Sequence, residues 1–376
     1  MNRLFDPLKL RGITLPHRLA VSPMCQYSAV DGYPNDWHLV HLGSRAVGGA
    51  ALIFMEATAV TPEGRITPAD LGIWDDSHIE SFARIASFLR SQGSVAGIQL
   101  AHAGRKGSAT RPWEGGFAIA PGDGGWIPFA PSAVPFSDRM AVPVEMTLTD
   151  ITAVRKAFVD AARRAHLAGF RVLEIHAAHG YLLHEFLSPL SNRRTDSYGG
   201  SFEGRIRMLL ETTAQVRVVW PGSLPLFVRI SATDWEEGGW TVDESVELAR
   251  RLKPLGVDVV DCSSGGSVPK PAVPSGSGYQ TAMAERIRRE ADIMTAAIGS
   301  ITSASQADHI ICTGQADLVL MARQMLRDPY AAVHAAEELG AKLSWPVQYL
   351  RAAPHGLPHR QPTALDPPPG ADPVDE

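Results

Sequence analysis

The sequence predicts an α/β protein built as a single (β/α)8 TIM barrel, and three observations support this fold class. The chain has 376 residues, a length that suits one large α/β barrel. Eight short runs rich in Val, Ile, Leu and Phe recur along it, separated by segments with the apolar spacing of helices. Each run is almost continuously apolar, as expected of parallel strands that helices cover on both faces.

The eight predicted strands follow one another along the chain. They are residues 18–24, 51–60, 95–102, 171–179, 226–231, 257–265, 293–301 and 316–324. Helix caps mark the connecting helices: one ends at Gly93, one begins at Thr149 or Asp150 and ends at Gly169, and one ends at Gly256. A doubly wound open sheet is the alternative, but no G-x-G-x-x-G motif follows the first strand.

Two segments depart from a minimal barrel. Residues 107–147, after the third strand, are rich in Gly and Pro, and a loop of this length predicts a lid or a small accessory hairpin. Residues 353–376 carry seven prolines and predict a disordered tail, because they offer little apolar surface to bury. The predicted domains are therefore a (β/α)8 barrel over 1–352 and a tail over 353–376.

Composition and charge exclude several classes of function. A net charge of −5 disfavours a protein that binds nucleic acid through phosphate contacts. The three cysteines, Cys25, Cys262 and Cys312, form no CxxC pair, which disfavours zinc and iron–sulfur motifs and fits a reducing compartment. The N-terminus lacks the apolar core of a signal peptide, and no apolar run approaches the roughly 20 residues of a membrane helix. We expect a cytoplasmic protein without nucleic-acid or membrane partners.

Polar residues recur at the carboxyl ends of the predicted strands, which is where barrel enzymes carry their chemistry. Gly299 and Arg323 follow the last two strands, the usual place for a phosphate in barrels, and the planar fork of arginine suits an anion. A barrel with a purely structural role has no need of such a rim. The other polar residues of this rim are Glu56, Gln99, His102, Lys106, His176, His179, Tyr181, Arg229, Asp234 and Ser263.

The stretch RVLEIHAAHGY places His176 and His179 at the end of the fourth strand. They could bind a metal together with Glu174, His184 or Glu185, as in a metal-dependent barrel hydrolase. Neutral imidazoles could instead donate hydrogen bonds to a carbonyl oxygen, with Tyr181 supplying a proton. They could also be satisfied core histidines. The residues alone leave these alternatives open.

Cys25 and Arg229 each allow two interpretations. A free cysteine is most often a small buried hydrophobe, but on a catalytic rim it can act as a nucleophile or tune a cofactor. Arg229 is either a fixed cation that faces a ligand or one half of a buried ion pair with Glu174.

Longer motifs carry a resemblance to a known family. They are SPMCQYSAVDGYPNDWH, EATAVTPEGR, QLAHAGRK, EIHAAHGYLLHEFLSPLSNRRTDSYGGSFEGRIR and MARQMLRDPY. Through them the chain resembles the Old Yellow Enzyme family of FMN-dependent ene-reductases over nearly its whole length. Cys25 after Ser-Pro-Met, together with the histidine pair, is similar to the thermophilic-like branch, which includes xenobiotic reductases.

The resemblance implies a barrel that holds FMN, with residues from most strand ends around it. Gln99 would bind the pyrimidine edge of the flavin, and Arg229 would lie beside N1 and O2, where the reduced flavin is negative. Cys25 would tune the redox potential rather than attack a substrate. Residues implied to line the ring are Ser22, Pro23, Met24, Cys25 and Ala57, and those implied to hold the phosphate are Gly299, Ala322 and Arg323.

The resemblance also implies the substrate site and the assembly. His176 and His179 would bind the carbonyl oxygen of an enone or the amide of a nicotinamide, Tyr27 would help to bind substrate, and Tyr181 would donate a proton. Arg351 matches an arginine that reaches a neighbouring subunit's site in this branch, so a homodimer or homotetramer is implied.

The function implied is an NAD(P)H:flavin oxidoreductase that reduces activated alkenes, with NADPH or NADH as reductant. The principal alternative is the metal-dependent barrel hydrolase that uses His176 and His179. A relative of the dienoyl-CoA reductases is a further possibility, but it requires an iron–sulfur cysteine cluster, for which the sequence has no motif.

Overall fold

The computed structural model of the protein describes residues 3–274 and 276–360. Its strands are β1 (Leu8–Leu10), β2 (Ile13–Leu15), β3 (Leu19–Val21), β4 (Leu52–Ala59), β5 (Val95–Ala101), β6 (Phe129–Ala130), β7 (Val144–Glu145), β8 (Val172–Ala177), β9 (Leu226–Ser231), β10 (Val259–Ser263), β11 (Met294–Ala297), β12 (Leu318–Met321), β13 (Trp345–Pro346) and β14 (His359–Arg360). Its helices are α1 (Asp36–Val47), α2 (Ile79–Ser91), α3 (Leu148–Leu167), α4 (Leu182–Leu187), α5 (Phe202–Val219), α6 (Val242–Leu252), α7 (Thr281–Ala291), α8 (Ala304–Cys312), α9 (Arg323–Arg327) and α10 (Ala331–Glu338).

Eight parallel strands close into a barrel in the order β3, β4, β5, β8, β9, β10, β11 and β12, and β12 pairs with β3. Each of these strands lies within one of the eight apolar runs. Helices alternate with the strands, and most strand residues are buried on both faces. The predicted (β/α)8 barrel is therefore confirmed, and the doubly wound open sheet is excluded by the closure.

The predicted helices are present, with one correction. Helix α3 begins two or three residues earlier than predicted, because its N-cap is Thr147 rather than Thr149 or Asp150. The Thr147 hydroxyl accepts the Asp150 N–H, and the Asp150 carboxylate accepts the Thr147 N–H at 2.8 Å. This reciprocal capping box satisfies two backbone donors that a start at Thr149 would leave open.

The amino-terminal end of the barrel is closed by apolar residues. Strands β1 and β2 form an antiparallel hairpin, and its leucines pack with side chains from the beginnings of the barrel strands. This apolar cluster consists of Leu8, Leu10, Leu15, Ala20, Ala51, Leu52, Phe54, Val172, Phe227, Val259, Ala296, Leu318 and Leu320. The hairpin therefore closes the amino-terminal end of the barrel interior with apolar side chains.

The predicted insertion, residues 107–147, contains a short parallel pair, β6 with β7, rather than a hairpin of these two strands. Residues 353–360 of the predicted tail are described: β14 pairs with β13, and the Arg360 guanidinium donates to the carbonyls of Ala46 and Val47. The rest of that tail, 361–376, lies outside the described residues. Within 3–274 and 276–360, no helix is long and apolar enough to cross a membrane.

Candidate active site at the carboxyl end of the barrel

A buried polar cluster lies within the barrel, formed by Gln99 on β5, Glu174 on β8, Arg229 on β9 and Asp261 on β10. All four are at most 3% exposed. Gln99 Nε2 donates to Glu174 Oε1 at 2.7 Å, and Arg229 Nε donates to Asp261 Oδ2 at 2.6 Å. Arg229 Nε also lies 3.5 Å from Glu174 Oε1. The ion pair proposed above as the structural interpretation of Arg229 is therefore present, with Asp261 as a second and closer partner.

The charges in this cluster constrain its protonation. Burial raises the pKa of Glu174 to about 8, against the opposing effect of Arg229. Burial alone would lower the pKa of Arg229, but Asp261 and Glu174 raise it above the ordinary value. Glu174 is hydrogen-bonded to Asp261. Burial therefore favours a protonated carboxyl group in this pair, while Arg229 favours an ionised one.

Three aromatic rings meet where β8 ends. The ring of His176 lies 5.1 Å from that of His179 and 5.1 Å from that of Tyr181, edge to face in both cases. His179 Nε2 lies 2.7 Å from the Ser263 hydroxyl. His176 Nδ1 is buried and has no hydrogen-bond partner among the described residues. This nitrogen is therefore available to a ligand that enters beside the three rings, and such a bond would satisfy it.

Both imidazoles are uncharged. Burial lowers the pKa of His176 and of His179 well below the ordinary value, and the nearby Arg229 and Lys106 lower both further. A neutral imidazole carries one N–H donor. The pair can therefore donate hydrogen bonds to an oxygen atom without bringing a positive charge of their own.

The chain that links these rings adopts a tight left-handed turn, with φ of +60° at His179 and +68° at Gly180. The His179 N–H donates to the Ser231 hydroxyl at 2.9 Å, and Lys106 Nζ donates to the His179 carbonyl at 2.7 Å. A Cβ on Gly180 would lie 2.1 Å from the Gly266 carbonyl oxygen. The turn therefore requires glycine at 180 and places a non-glycine residue, His179, in a strained conformation.

Cys25 and Tyr27 lie on the loop that follows β3. They are hydrogen-bonded to each other, and burial raises the pKa of both groups above their ordinary values. A thiol that keeps its proton is a poor nucleophile, so the site disfavours a nucleophilic Cys25. The backbone N–H of Gln26 donates to Glu56 Oε1 at 2.8 Å, which anchors this loop to the end of β4.

Tyr27 and Tyr181 are both protonated phenols near this loop. Burial raises the pKa of Tyr181, and the neighbouring Cys25 raises it further. The Tyr27 ring meets the indole of Trp113 edge to face at 5.8 Å, and Trp113 is 67% exposed. The insertion therefore contributes the outer rim of the site.

A cavity of about 250 Å³ lies beyond the ends of β11 and β12. Arg323 Nη2 donates to the Ser300 hydroxyl at 3.3 Å at this cavity. Gly299 has φ of +116°, and a Cβ there would lie 2.7 Å from Gln280 Nε2, so only glycine fits. The lining contains two arginines and no carboxylate: Ser263, Tyr279, Gln280, Ile298, Gly299, Ser300, Ile301, Thr302, Leu320, Ala322, Arg323, Gln324 and Arg327. This chemistry fits a phosphate group.

The cavity, the polar cluster and the three rings are joined by two serines. Ser263 lines the cavity and contacts His179. The Ser22 N–H donates to the Met321 carbonyl at 3.1 Å, and its hydroxyl accepts from Arg229 at 3.0 Å. The parts therefore form one continuous site.

The structure places nearly all predicted site residues at this end of the barrel. They are Ser22, Pro23, Met24, Cys25, Tyr27, Ala57, Gln99, His176, His179, Tyr181, Arg229, Gly299, Ala322 and Arg323. The exception is Arg351, which is exposed on the C-terminal segment. Within the described parts of the chain, no hydrogen bond or ion pair joins Arg351 to the others.

Some residues of the site were missed from the sequence. Asp261 lies inside an apolar run. The available signal was a single carboxylate at the strand position that pairs with Arg229. Gln280 comes from an irregular segment that carries no motif, and Ser300 follows Gly299 within the seventh apolar run but was given no role. Lys106 and Ser263 were noted on the rim but given no role.

The site fits FMN. The cavity with Arg323 suits the phosphate, and the cradle at Gly299 has no room for a side chain. Gln99 and Arg229 are held by Glu174 and Asp261 on neighbouring strands, and fixed donors of this kind suit the polar edge of a flavin ring. In the described residues, no group of three or more His, Cys, Asp or Glu side chains is arranged to hold a metal ion.

Comparison with known sequences gives one family and several relatives. The family model described as NADH:flavin oxidoreductase / NADH oxidase matches residues 3–342. The NADPH dehydrogenase of Geobacillus sp. (strain WCH70) is 50% identical over 350 residues, covering 93% of this chain and 98% of that protein. The NADPH dehydrogenase of Bacillus subtilis (strain 168) is 47% identical over 351 residues, with 93% and 98% covered.

Solved structures have the same fold. Morphinone reductase superposes with a TM-score of 0.76 at 26% identity, covering 91% of this chain and 90% of that one. Morphinone reductase in complex with tetrahydroNAD gives a TM-score of 0.75 at 26% identity, with 92% and 93% covered. A 2-naphthoyl-CoA reductase gives 0.81 at 26% identity and covers 89% of this chain, but this chain spans only 52% of that one.

Proposed function

The chain belongs to the NADH:flavin oxidoreductase / NADH oxidase family, which includes the Old Yellow Enzymes, and on this premise we propose that it reduces the activated C=C bonds of enones and related electrophiles. It is an FMN-dependent oxidoreductase of the NADPH dehydrogenase type. Membership of this family replaces the metal-dependent hydrolase as an explanation of His176 and His179.

Reduced FMN supplies the hydride that this chemistry requires, and NADPH restores it. For this chain we assign the phosphate to Arg323, Gly299 and Ala322, because they line the carboxylate-free cavity. Gln99 and Arg229 would face the polar edge of the ring. The guanidinium charge that Asp261 and Glu174 hold in place would favour the negative charge of the reduced form.

The arrangement of His176 and His179 is the observation that carries the proposal. Two neutral imidazoles stand side by side, one with an unpartnered buried nitrogen. Hydrogen bonds from both to a carbonyl oxygen would polarise a conjugated alkene and stabilise the negative charge that develops on that oxygen. The barrel strand and the turn fix the positions of both rings, so the histidines are in place before a substrate binds.

Tyr181 is assigned as the proton donor, with solvent as its alternative. Its phenol keeps its proton at neutral pH because burial raises its pKa. Its ring lies 5.1 Å from His176, so a substrate whose oxygen is held by the histidines has this phenol beside it. A protonated phenol can transfer its proton once a basic carbon forms next to it.

The test is a double variant, His176→Ala with His179→Ala. We expect turnover of cyclohexenone to fall on the order of a hundredfold or more, because the donors to the developing oxyanion are lost. Binding of phenol, followed by the flavin absorbance, should be lost as well, while FMN content is unchanged. His309→Ala on the exposed face of α8 is the control. Survival of both turnover and phenol binding would show that the assignment is wrong.

We also propose a homodimer or homotetramer in which Arg351 reaches the site of a neighbouring subunit. Its exposure at the C-terminal end of the described chain leaves it available for such a contact. Sedimentation gives the oligomeric state, and Arg351→Ala should raise the KM for the substrate without changing FMN content.

A cytoplasmic location and the preference for NADPH over NADH also stay predictions.

A further inference from the structure

The geometry points to a positioning role for a buried pair behind the active site: we propose that Asp234 and His184 fix the turn that carries His179 and Tyr181. This inference rests on the proposed roles of His179 and Tyr181. It adds two residues that need not touch substrate or cofactor and that act through the backbone N–H of Gly180.

The pair contacts the turn directly. His184 lies on α4 and, like Asp234, is fully buried. His184 Nδ1 accepts the backbone N–H of Gly180 at 2.8 Å, and its Nε2 lies 3.0 Å from Asp234 Oδ1. Gly180 stands between His179 and Tyr181 in sequence, so the imidazole joins Asp234 to the middle of the turn.

These contacts define one tautomer of His184. A backbone N–H can only donate, so Nδ1 must be unprotonated and the ring proton is on Nε2, the nitrogen that lies 3.0 Å from Asp234 Oδ1. Asp234 is held as an acceptor, because its other oxygen accepts from the Ser188 hydroxyl at 2.5 Å and from the Trp240 N–H at 2.8 Å. Asp234 therefore fixes which nitrogen of His184 faces Gly180.

The turn needs such a fixed acceptor. His179 is in the left-handed region, with φ of +60°, a conformation that persists only where surrounding contacts enforce it. Ser231 and Lys106 hold the N–H and the carbonyl of His179, and His184 holds the next N–H, that of Gly180. Rotation of the peptide at Gly180 would move the His179 and Tyr181 rings, which face His176 from its two sides.

The competing explanation is that His184 only compensates the buried charge of Asp234. Two variants of similar volume separate the two roles. In His184→Asn the amide oxygen can replace Nδ1 as the acceptor for Gly180, but contact with Asp234 is lost. In His184→Gln the longer side chain can replace Nε2 and reach Asp234, but the Gly180 N–H is left without its acceptor.

We expect His184→Asn to retain cyclohexenone turnover within a few-fold of the wild type. His184→Gln should lose between about ten- and a hundredfold in kcat, the range expected when reacting groups are displaced by a fraction of an ångström to one ångström. Phenol binding, measured from the flavin absorbance, should follow the same order, with FMN content and thermal unfolding measured for each variant.

Asp234→Asn provides the second arm. The isosteric amide removes the charge that selects the His184 tautomer, so this variant should behave like His184→Gln, including weaker phenol binding. Equal activity of the two His184 variants, a more active His184→Gln, or failure of both to fold with FMN would overturn the positioning role. If the wild type reduces cyclohexenone in a manner that depends on His176 and His179 while both His184 variants keep the wild-type rate, this inference fails and the proposed function stands.

Discussion

The two ends of the barrel are built on the same eight strands and are equally well buried, yet their chemistry is opposite. At the amino-terminal end, residues such as Leu10, Phe54 and Phe227 are at most 1% exposed and touch apolar neighbours. At the carboxyl end, Glu174 and Arg229 are at most 3% exposed and touch one another. The strands therefore pass from an apolar plug to a charged cluster within a few residues.

This difference indicates which end of the barrel stabilises the fold and which end carries the function. Apolar burial stabilises the folded state by about 25 cal/mol per Å². Buried ion pairs contribute little, because desolvation offsets most of their attraction. The carboxyl end is thus a poor source of stability, and we expect its charges to serve a bound cofactor and substrate. Substitutions at one end should change the free energy of unfolding, and those at the other should change the rate.

The largest expected effect is at the amino-terminal end. Phe54→Ala removes a ring that lies 5.7 Å from that of Phe227, and we expect the free energy of unfolding to fall by about 3–5 kcal/mol, since a large cavity is left in the core. The kcat per FMN-loaded molecule should stay near that of the wild type. Denaturant unfolding and steady-state kinetics measure the two quantities. A large fall in kcat of the FMN-loaded variant alongside the loss of stability would show that stability and activity do not belong to separate ends of the barrel.

Tyr181→Phe is the corresponding change at the carboxyl end. It removes only the phenol oxygen, so the free energy of unfolding should change by less than about 1 kcal/mol. The rate of alkene reduction should fall by about a hundredfold, the lower end of the range for loss of a general acid, because solvent still supplies protons. Single-turnover reduction of cyclohexenone measures this step. Tyr33→Phe, on the loop before α1, is the matched control, and an unchanged rate in Tyr181→Phe would remove the proton-donor assignment.

Arg323→Gln tests the third part of the site. Loss of the guanidinium at the cavity should raise the Kd for FMN by about tenfold or more, since a charge-assisted hydrogen bond contributes on the order of 1.5–3 kcal/mol. Titration of the FMN-free protein with FMN, followed by flavin fluorescence, gives the Kd. Arg289→Gln, an exposed arginine on α7, should leave it unchanged. An unaltered Kd in Arg323→Gln would place the phosphate elsewhere.

The barrel and its strand ends could be predicted from the sequence because continuous apolar runs leave a local signal. The start of α3 was misplaced because Thr147 and Thr149 are both good caps, and only the partner at Asp150 decides between them. Asp261 was hidden because one carboxylate does not disturb the apolar pattern of a strand.

The contact between His184 and Asp234 could not be predicted from the sequence for a different reason. The two residues are 50 positions apart and meet only because α4 and the loop after β9 fold over the same turn. Which nitrogen of His184 faces Gly180 depends on that contact alone. Residue types at strand ends can be read from a sequence, but the partners that orient them are set by tertiary packing.

The smallest expected effect concerns pH and again contrasts the two ends. Glu56, at the carboxyl half of β4, is 3% exposed, and burial raises its pKa from 4.5 to about 8. Between these two values the folded state binds more protons than the unfolded state, so stability falls as pH rises. Glu56→Gln does not titrate and keeps an oxygen acceptor for the Gln26 N–H. The Tm of this variant relative to the wild type should therefore rise steadily from pH 5 to pH 8.

Two controls separate this effect from a general change in charge. Glu80→Gln, exposed on α2, removes the same charge and should give a Tm that runs parallel to the wild type across this range. Phe54→Ala should lower the Tm by a similar amount at every pH, because no titrating group is involved. If the Glu56→Gln and wild-type curves were parallel, the buried carboxyl at the carboxyl end would not limit stability at alkaline pH, and the contrast between the ends would rest on packing alone.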